Sequence, residues 1–153
     1  MIRPAVPTDV QRLMEMGHAF FIEAGWDKHA DFDEESFAFT CGALIANGIL
    51  LVADKDDNGV VGMAAAGIAP AYWNRSVLTA QELFWYCEPA HRLGLGSKLM
   101  KELEAAAIER GVVLFSMSAE EGLRSEALSR LYRQRGYFPM EKLFWKSFGR
   151  EAA

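Results

Sequence analysis

Two hydrophobic periods alternate along the chain. Val10, Leu13, Met14, Gly17, Phe20 and Phe21 recur at helical spacing behind Thr8 and Gln11, which stand as N-cap and partner of a capping box. They predict a first helix that ends at Gly25. Phe37, Cys41, Leu44 and Ile45 make a second stripe over residues 33–46, closed by Asn47 and Gly48. Ahead of both, residues 2–5 read as an edge strand, the one place a strand tolerates Pro4. The period then shortens. Residues 49–53 form a buried strand, Asp56-Asp57-Asn58-Gly59 is a hairpin turn, and residues 60–68 return. Residues 70–77, with Tyr72 and Trp73, read as a loop. Residues 79–88 are apolar on both faces and predict a central strand. A glycine turn over 91–96 opens a helix to about Arg110, with Leu99, Met100, Leu103, Ala106 and Ala107 inside and Gly111 closing it. A strand over 112–117, a helix over 125–135 stopped by Gly136, and a strand over 143–148 follow. The order β-α-α-β-β-β-α-β-α-β implies an α/β (α+β) fold. Its sheet is mixed but mostly antiparallel and flanked by helices, and one central βαβ unit holds the glycine turn.

Composition adds limits to this picture. The chain has 153 residues, 51% hydrophobic and 24% charged, with no repeat or linker, so residues 1–153 read as a single globular domain. Sixteen Lys and Arg against 21 Asp and Glu leave a net charge of -5, a poor footprint for nucleic acid. The most apolar stretch, 59–73, is broken by Gly62, Gly67 and Pro70, so no membrane span is expected. Pro4, Pro7 and Asp9 rule against a signal peptide, and a cytoplasmic location is expected. Cys41 and Cys87 make neither a disulfide framework nor a zinc set, and no metal is implied.

The chemistry gathers around Gly94-x-Gly96, set between strand and helix. Such a turn brings backbone N–H groups close to an anion, and it serves equally as a tight connection without a ligand. It lacks the Gly-Lys-Ser/Thr of a nucleotide-hydrolase loop, and Leu99 or Met100 stands where the dinucleotide fingerprint has its third glycine. Glu82 lies mid-strand, on the same face as Phe84 and Tyr86 by simple alternation. A carboxylate so placed has a raised pKa or a partner, which makes it a candidate general base or half of a structural pair with an arginine. Cys87 reads as a small buried apolar residue, His18 as lying on the polar side of a helix, and His29 and His91 as solvent or loop residues. Arg124, Arg130, Arg133 and Arg135 cluster near the last helix.

Residues 83–97, Leu-Phe-Trp-Tyr-Cys-Glu-Pro-Ala-His-Arg-Leu-Gly-Leu-Gly-Ser, and residues 131–137, Leu-Tyr-Arg-Gln-Arg-Gly-Tyr, resemble the GCN5-related N-acetyltransferases. The first is similar to that family's strand, Pro and Arg/Gln-x-x-Gly-x-Gly/Ala loop, the second to its Leu-Tyr-x-x-x-Gly-Phe element. The resemblance spans nearly the whole chain. It departs at His91, which holds the Arg/Gln position while Arg92 has the usual spacing from Pro89, and at Ser125 and Leu128, where the family often has Asn and Ala.

The resemblance implies transfer of an acetyl group from acetyl-CoA to an amine acceptor by direct attack in a ternary complex. The backbone of Leu93, Gly94, Leu95, Gly96, Ser97 and Lys98, with Arg92, would hold the pyrophosphate. Trp85, Tyr86 and Cys87 would pair with the pantetheine arm, which Ser125 and Leu128 would also touch. Glu82 is the first candidate base and Glu88 the second, and Tyr132 matches the acid that protonates the leaving thiolate. Acceptor walls are expected from residues 26–35, 70–77 and 137–143. Asp27, Asp31, Asp33, Glu34 and Glu35, with Trp26 and Phe32, either attract a cationic amine or cap the second helix. Protein, peptide, polyamine and drug-like acceptors all stay open. A catalytically silent acyl-CoA sensor or scaffold is the alternative. The apolar last strand offers an edge for a homodimer.

Overall fold

The longest apolar runs of the chain pair with one another. In the computed structural model, which describes residues 1–57 and 59–149, β2 (Ile49–Lys55), β3 (Gly59–Ala71) and β4 (Asn74–Cys87) form an antiparallel meander. β1 (Ile2–Pro4) adds outside β2 and β5 (Leu114–Ser116) outside β4, giving the order β1-β2-β3-β4-β5. Only β4 and β5 run parallel, because helix α3 (Leu95–Glu109) crosses between them. Alternation along the strands then sorts the core into two layers. Leu50, Val52, Met63, Ala65, Phe84 and Tyr86 meet Leu13 and Met16 of α1 (Val10–Glu23) and Cys41 and Leu44 of α2 (Glu34–Asn47). Leu51, Ala53, Ala64, Ala66 and Cys87 meet Leu99, Leu103 and Ala107 of α3. Helix α4 (Ser125–Gln134) follows β5. This is the mostly antiparallel, helix-flanked α/β sheet that the periods predict.

Three local expectations need correction. Thr8 does not cap α1, because it lies inside a short 3-10 turn, Pro7–Asp9. Asp9 accepts from the Val6 N–H at 2.8 Å and from Arg3 instead. Residues 70–77 are not a free loop, since β3 and β4 pair almost to the hairpin tip at Tyr72 and Trp73. The β2 ladder stops at Ala66, so beyond it β3 is an edge strand and accommodates Pro70. The strand expected over 143–148 does not form, and with it goes the strand edge on which a dimer was expected. Leu143, Phe144, Trp145 and Phe148 are exposed, Lys142 and Lys146 lie over the Phe144 and Phe148 rings, and Trp145 packs edge-on against Trp26. The cause is the neighbour: β5 is only 3 residues long and offers too short a ladder.

Candidate active site

The register of β4 against β3 slips by one residue in mid-strand. Phe84 pairs with Ala65 and Glu82 with Ala66, leaving Leu83 as the extra residue of a β-bulge. Ala65 belongs to the layer under α1 and α2, Ala66 to the layer under α3. Glu82 therefore lies on the α3 side, opposite to Phe84 and Tyr86. This corrects their expected common face, which rested on unbroken alternation.

On that side Glu82 is only 8% exposed. Its Oε2 accepts from the Ser118 N–H at 3.2 Å, and among the described residues no lysine or arginine pairs with it. Burial, with a smaller push from the charge of Glu120, raises its carboxyl from 4.5 to about 7, against the pull of the Ser118 N–H. Tyr132 of α4, 7% exposed, donates its hydroxyl to the Ser118 carbonyl at 2.6 Å. Burial, then the charges of Glu82 and Glu120, raise its hydroxyl well above the ordinary tyrosine value. One residue, Ser118, thus holds a carboxylate that exchanges its proton near neutrality and a phenol that keeps its own.

Above them β4 outgrows its neighbour. β5 pairs only with Thr79, Ala80 and Gln81, so the outer edge of β4 from Glu82 to Cys87 has no strand partner among the described residues. Trp85, on this stretch, donates its indole N–H to the Gly96 carbonyl at 3.1 Å and tilts against Tyr132 at 6.5 Å between ring centroids. The strand, the glycine turn and α4 are joined through this one ring. Gly94 takes φ +74° as the cap of α3, a conformation in which glycine carries no steric cost. A Cβ on Gly96 would stand 3.2 Å from Trp85 Cζ2. Lys98 N–H donates to the Gly94 carbonyl, so the amides of Leu95, Gly96 and Ser97 precede the helical ladder and are free for an anion. Ser125 and Leu128 lie in the first turns of α4, which Glu104 of α3 ties down by accepting from Arg135 Nε at 3.2 Å and from the Tyr137 hydroxyl at 2.8 Å.

Other expected residues point elsewhere. Arg92 donates from Nε to the Cys87 carbonyl at 2.9 Å, pairs with Glu23 of α1 at 2.6 Å, and lies over the Tyr86 ring. Leu93 is fully exposed, and Glu88 is ion-paired to Arg12. Cys87 is buried, and burial pushes its thiol up to about 11, which leaves it an apolar wall. Asp33 caps α2 through the Ser36 N–H at 2.7 Å, the helix-capping side of the two readings. Residues 26–35 and the C-terminal stretch meet at Trp26 and Trp145, and Phe32 stacks on His18 at 5.0 Å. Ser118 and Glu120 went unnoticed in the sequence, because they lie between β5 and α4 in a stretch with neither period nor motif. Among the described residues no helix is long and apolar enough to cross a membrane, and no group of His, Cys, Asp and Glu is placed to hold a metal.

No curated protein matches the sequence. Solved structures do match, over almost the full length of both chains. A predicted acetyltransferase from Clostridium acetobutylicum, crystallised with acetyl-CoA, superposes with a TM-score of 0.75 at 18% identity, covering 96% of this chain and 95% of that one. A GCN5-related N-acetyltransferase from Ralstonia eutropha JMP134 gives 0.69 at 21%, covering 97% and 99%. The aminoglycoside antibiotic 6'-N-acetyltransferase of Acinetobacter haemolyticus gives 0.66 at 21%, covering 99% of each chain. At these identities the likeness is one of fold. The family model for the acetyltransferase (GNAT) domain matches residues 46–138, the stretch that carries the bulged strand, the glycine turn and Tyr132, and the chain belongs to the GCN5-related N-acetyltransferase family.

Proposed function

We propose that residues 1–153 act as one catalytic domain, an N-acetyltransferase that moves the acetyl group of acetyl-CoA to an amine by direct attack in a ternary complex. The observation that carries this is the pairing at Ser118 of a carboxyl raised to about 7 with a phenol that holds its proton. The fold supplies a fitting place for the coenzyme. Free amides at Leu95, Gly96 and Ser97 suit its pyrophosphate, and the open edge of β4 from Trp85 to Cys87 offers unpaired backbone groups to its amide-bearing arm. When bound, the coenzyme supplies an activated acyl group. The chain supplies the rest. A free amine titrates near ~10 and arrives as the ammonium, so a base is needed. Glu82 takes the ammonium proton, and the nitrogen lone pair is then free to bond to the acyl carbon. Tyr132 gives its proton to sulfur as the carbon–sulfur bond breaks, and the second proton that the nitrogen sheds as the amide forms restores the phenol. Trp85 keeps the turn seated against the strand while this happens.

Thermal unfolding with acetyl-CoA, coenzyme A and ATP in parallel tests the binding half. At about 100 times its Kd a ligand adds about 2.7 kcal/mol, and both coenzymes should raise the Tm while ATP does not. Glu82→Gln and Tyr132→Phe should each lower turnover by about 10²-fold or more and keep the coenzyme shift. A coenzyme shift without turnover on any amine would favour a silent sensor or scaffold. No shift at all would end the reading.

A further inference from the structure

Helix α4 is seated by very little apolar surface. Tyr132 is its one buried residue, so the side chain proposed to protonate sulfur is also the main anchor of the helix. Two aromatic rings meet that of Tyr132, Trp85 at 6.5 Å and Tyr137 at 5.6 Å between centroids, and Phe115 of β5 packs edge-on against Tyr137. Helix α3 holds both of these rings. Its Gly96 carbonyl accepts the Trp85 indole N–H at 3.1 Å, and two turns further on its Glu104 carboxylate accepts the Tyr137 hydroxyl at 2.8 Å. The first grip belongs to the glycine turn. The second lies about 12 Å along the helix axis from it.

Glu104 holds more than one partner. Its Oε1 accepts from the Tyr137 hydroxyl and from Arg135 Nε at 3.2 Å, while Oε2 accepts from Arg135 Nη2. Half-buried and bidentate, the Glu104–Arg135 pair is a charge-assisted fork rather than a screened surface contact. The polar ties then run on without a break. Tyr137 donates its N–H to the Tyr132 carbonyl at 3.0 Å, and the Tyr132 hydroxyl reaches the Ser118 carbonyl at 2.6 Å. Without Glu104 the end of α4 loses three hydrogen bonds at once. Proton delivery depends on placement, and a shift of about 1 Å caused far from the chemistry can cost ~10²-fold. Resting on the proposed acetyltransferase reading, we infer that Glu104 is a positioning residue, which holds the Tyr132 phenol in place at Ser118 by clamping α4 to α3 through Arg135 and Tyr137. It acts through Tyr132, not on the substrate.

Release of the coenzyme A thiol from acetyl-CoA by hydroxylamine tests this on the full-length protein. Hydroxylamine is neutral near pH 7 and too small to need an acceptor pocket, so its rate reports the leaving-group half of the reaction. Glu104→Ala should lower kcat about tenfold or more and leave the KM for acetyl-CoA and the coenzyme-induced rise in Tm unchanged. In a Tyr132→Phe background, where no phenol remains to be placed, the same change should lower kcat no further. Tyr137→Phe removes one hydroxyl and keeps the ring. It should lower kcat about threefold, again only where Tyr132 is present, and it carries the test if Glu104→Ala does not fold. An equal fall in both backgrounds, or none in either, would overturn the role of Glu104 and leave the acetyltransferase reading standing. Thiol release that is absent from wild type, or indifferent to Tyr132→Phe, would overturn the acid role of Tyr132 and this inference with it.

Discussion

Burying the Glu82 carboxyl costs stability. Its carboxyl rises from 4.5 to about 7 on folding, so between those values the folded chain holds a proton that the unfolded chain has released. Stability therefore falls as pH climbs through that window, and above about 7 the full cost is of order a few kcal/mol. Glu82→Gln should accordingly raise the Tm over wild type at pH 8 and leave it nearly unchanged at pH 4, as melting curves across pH will show. A mutant no more stable than wild type at pH 8 would mean that Glu82 is not desolvated. In wild type, kcat/KM should rise with pH toward a plateau above about 7, and that limb should vanish in the Gln variant. Glu82 and Tyr132 were readable in the sequence, one as an acid in an apolar strand, the other within a motif. Arg92 and Glu88 were readable as residues but not by partner. Glu23 and Arg12, which engage them, lie on α1, far away along the chain. Ser118 was invisible because the bonds that hold Glu82 and Tyr132 use its backbone N–H and carbonyl, which every residue but proline carries.

At the scale of the element, period predicts what a segment is and says little about what it must lie beside. The meander, the crossover helix and the glycine turn all follow from local pattern. The bulge at Leu83 does not, because one extra residue looks like ordinary alternation until a partner strand is laid against it. The run Leu143-Phe144-Trp145-Lys146-Ser147-Phe148 errs in the other direction. It has the composition of a strand, but strand propensity is realised only where an edge receives it. The start of α3 is where an element and its function are hardest to separate. Gly94→Ala adds no clash, since nothing lies within 4 Å of its Cβ position, and the whole penalty is the strain of φ +74°. It should cost about 1 kcal/mol in urea unfolding and weaken coenzyme binding as the turn relaxes. Unchanged stability would show that the turn adopts another shape in solution.

The whole molecule presents an uneven surface. Phe138, Met140, Leu143, Phe144, Trp145 and Phe148 are all exposed in one C-terminal stretch. With Phe144 84% and Phe148 90% exposed, Phe144→Ser and Phe148→Ser should change the unfolding free energy by no more than about 0.5 kcal/mol. Both should lower self-association seen by light scattering. A large destabilisation would show that this stretch joins the sheet in solution. The deepest link across the molecule is smaller. Ser118 joins β4 to α4 by giving its N–H to Glu82 and taking the hydroxyl of Tyr132 on its carbonyl. Both bonds hang on one residue of a connection that borders the open edge of β4. Any opening of that connection loosens them together, and any closure restores them together. The fold contains an interlock: the carboxyl and the phenol proposed as base and acid are held in place through one and the same residue.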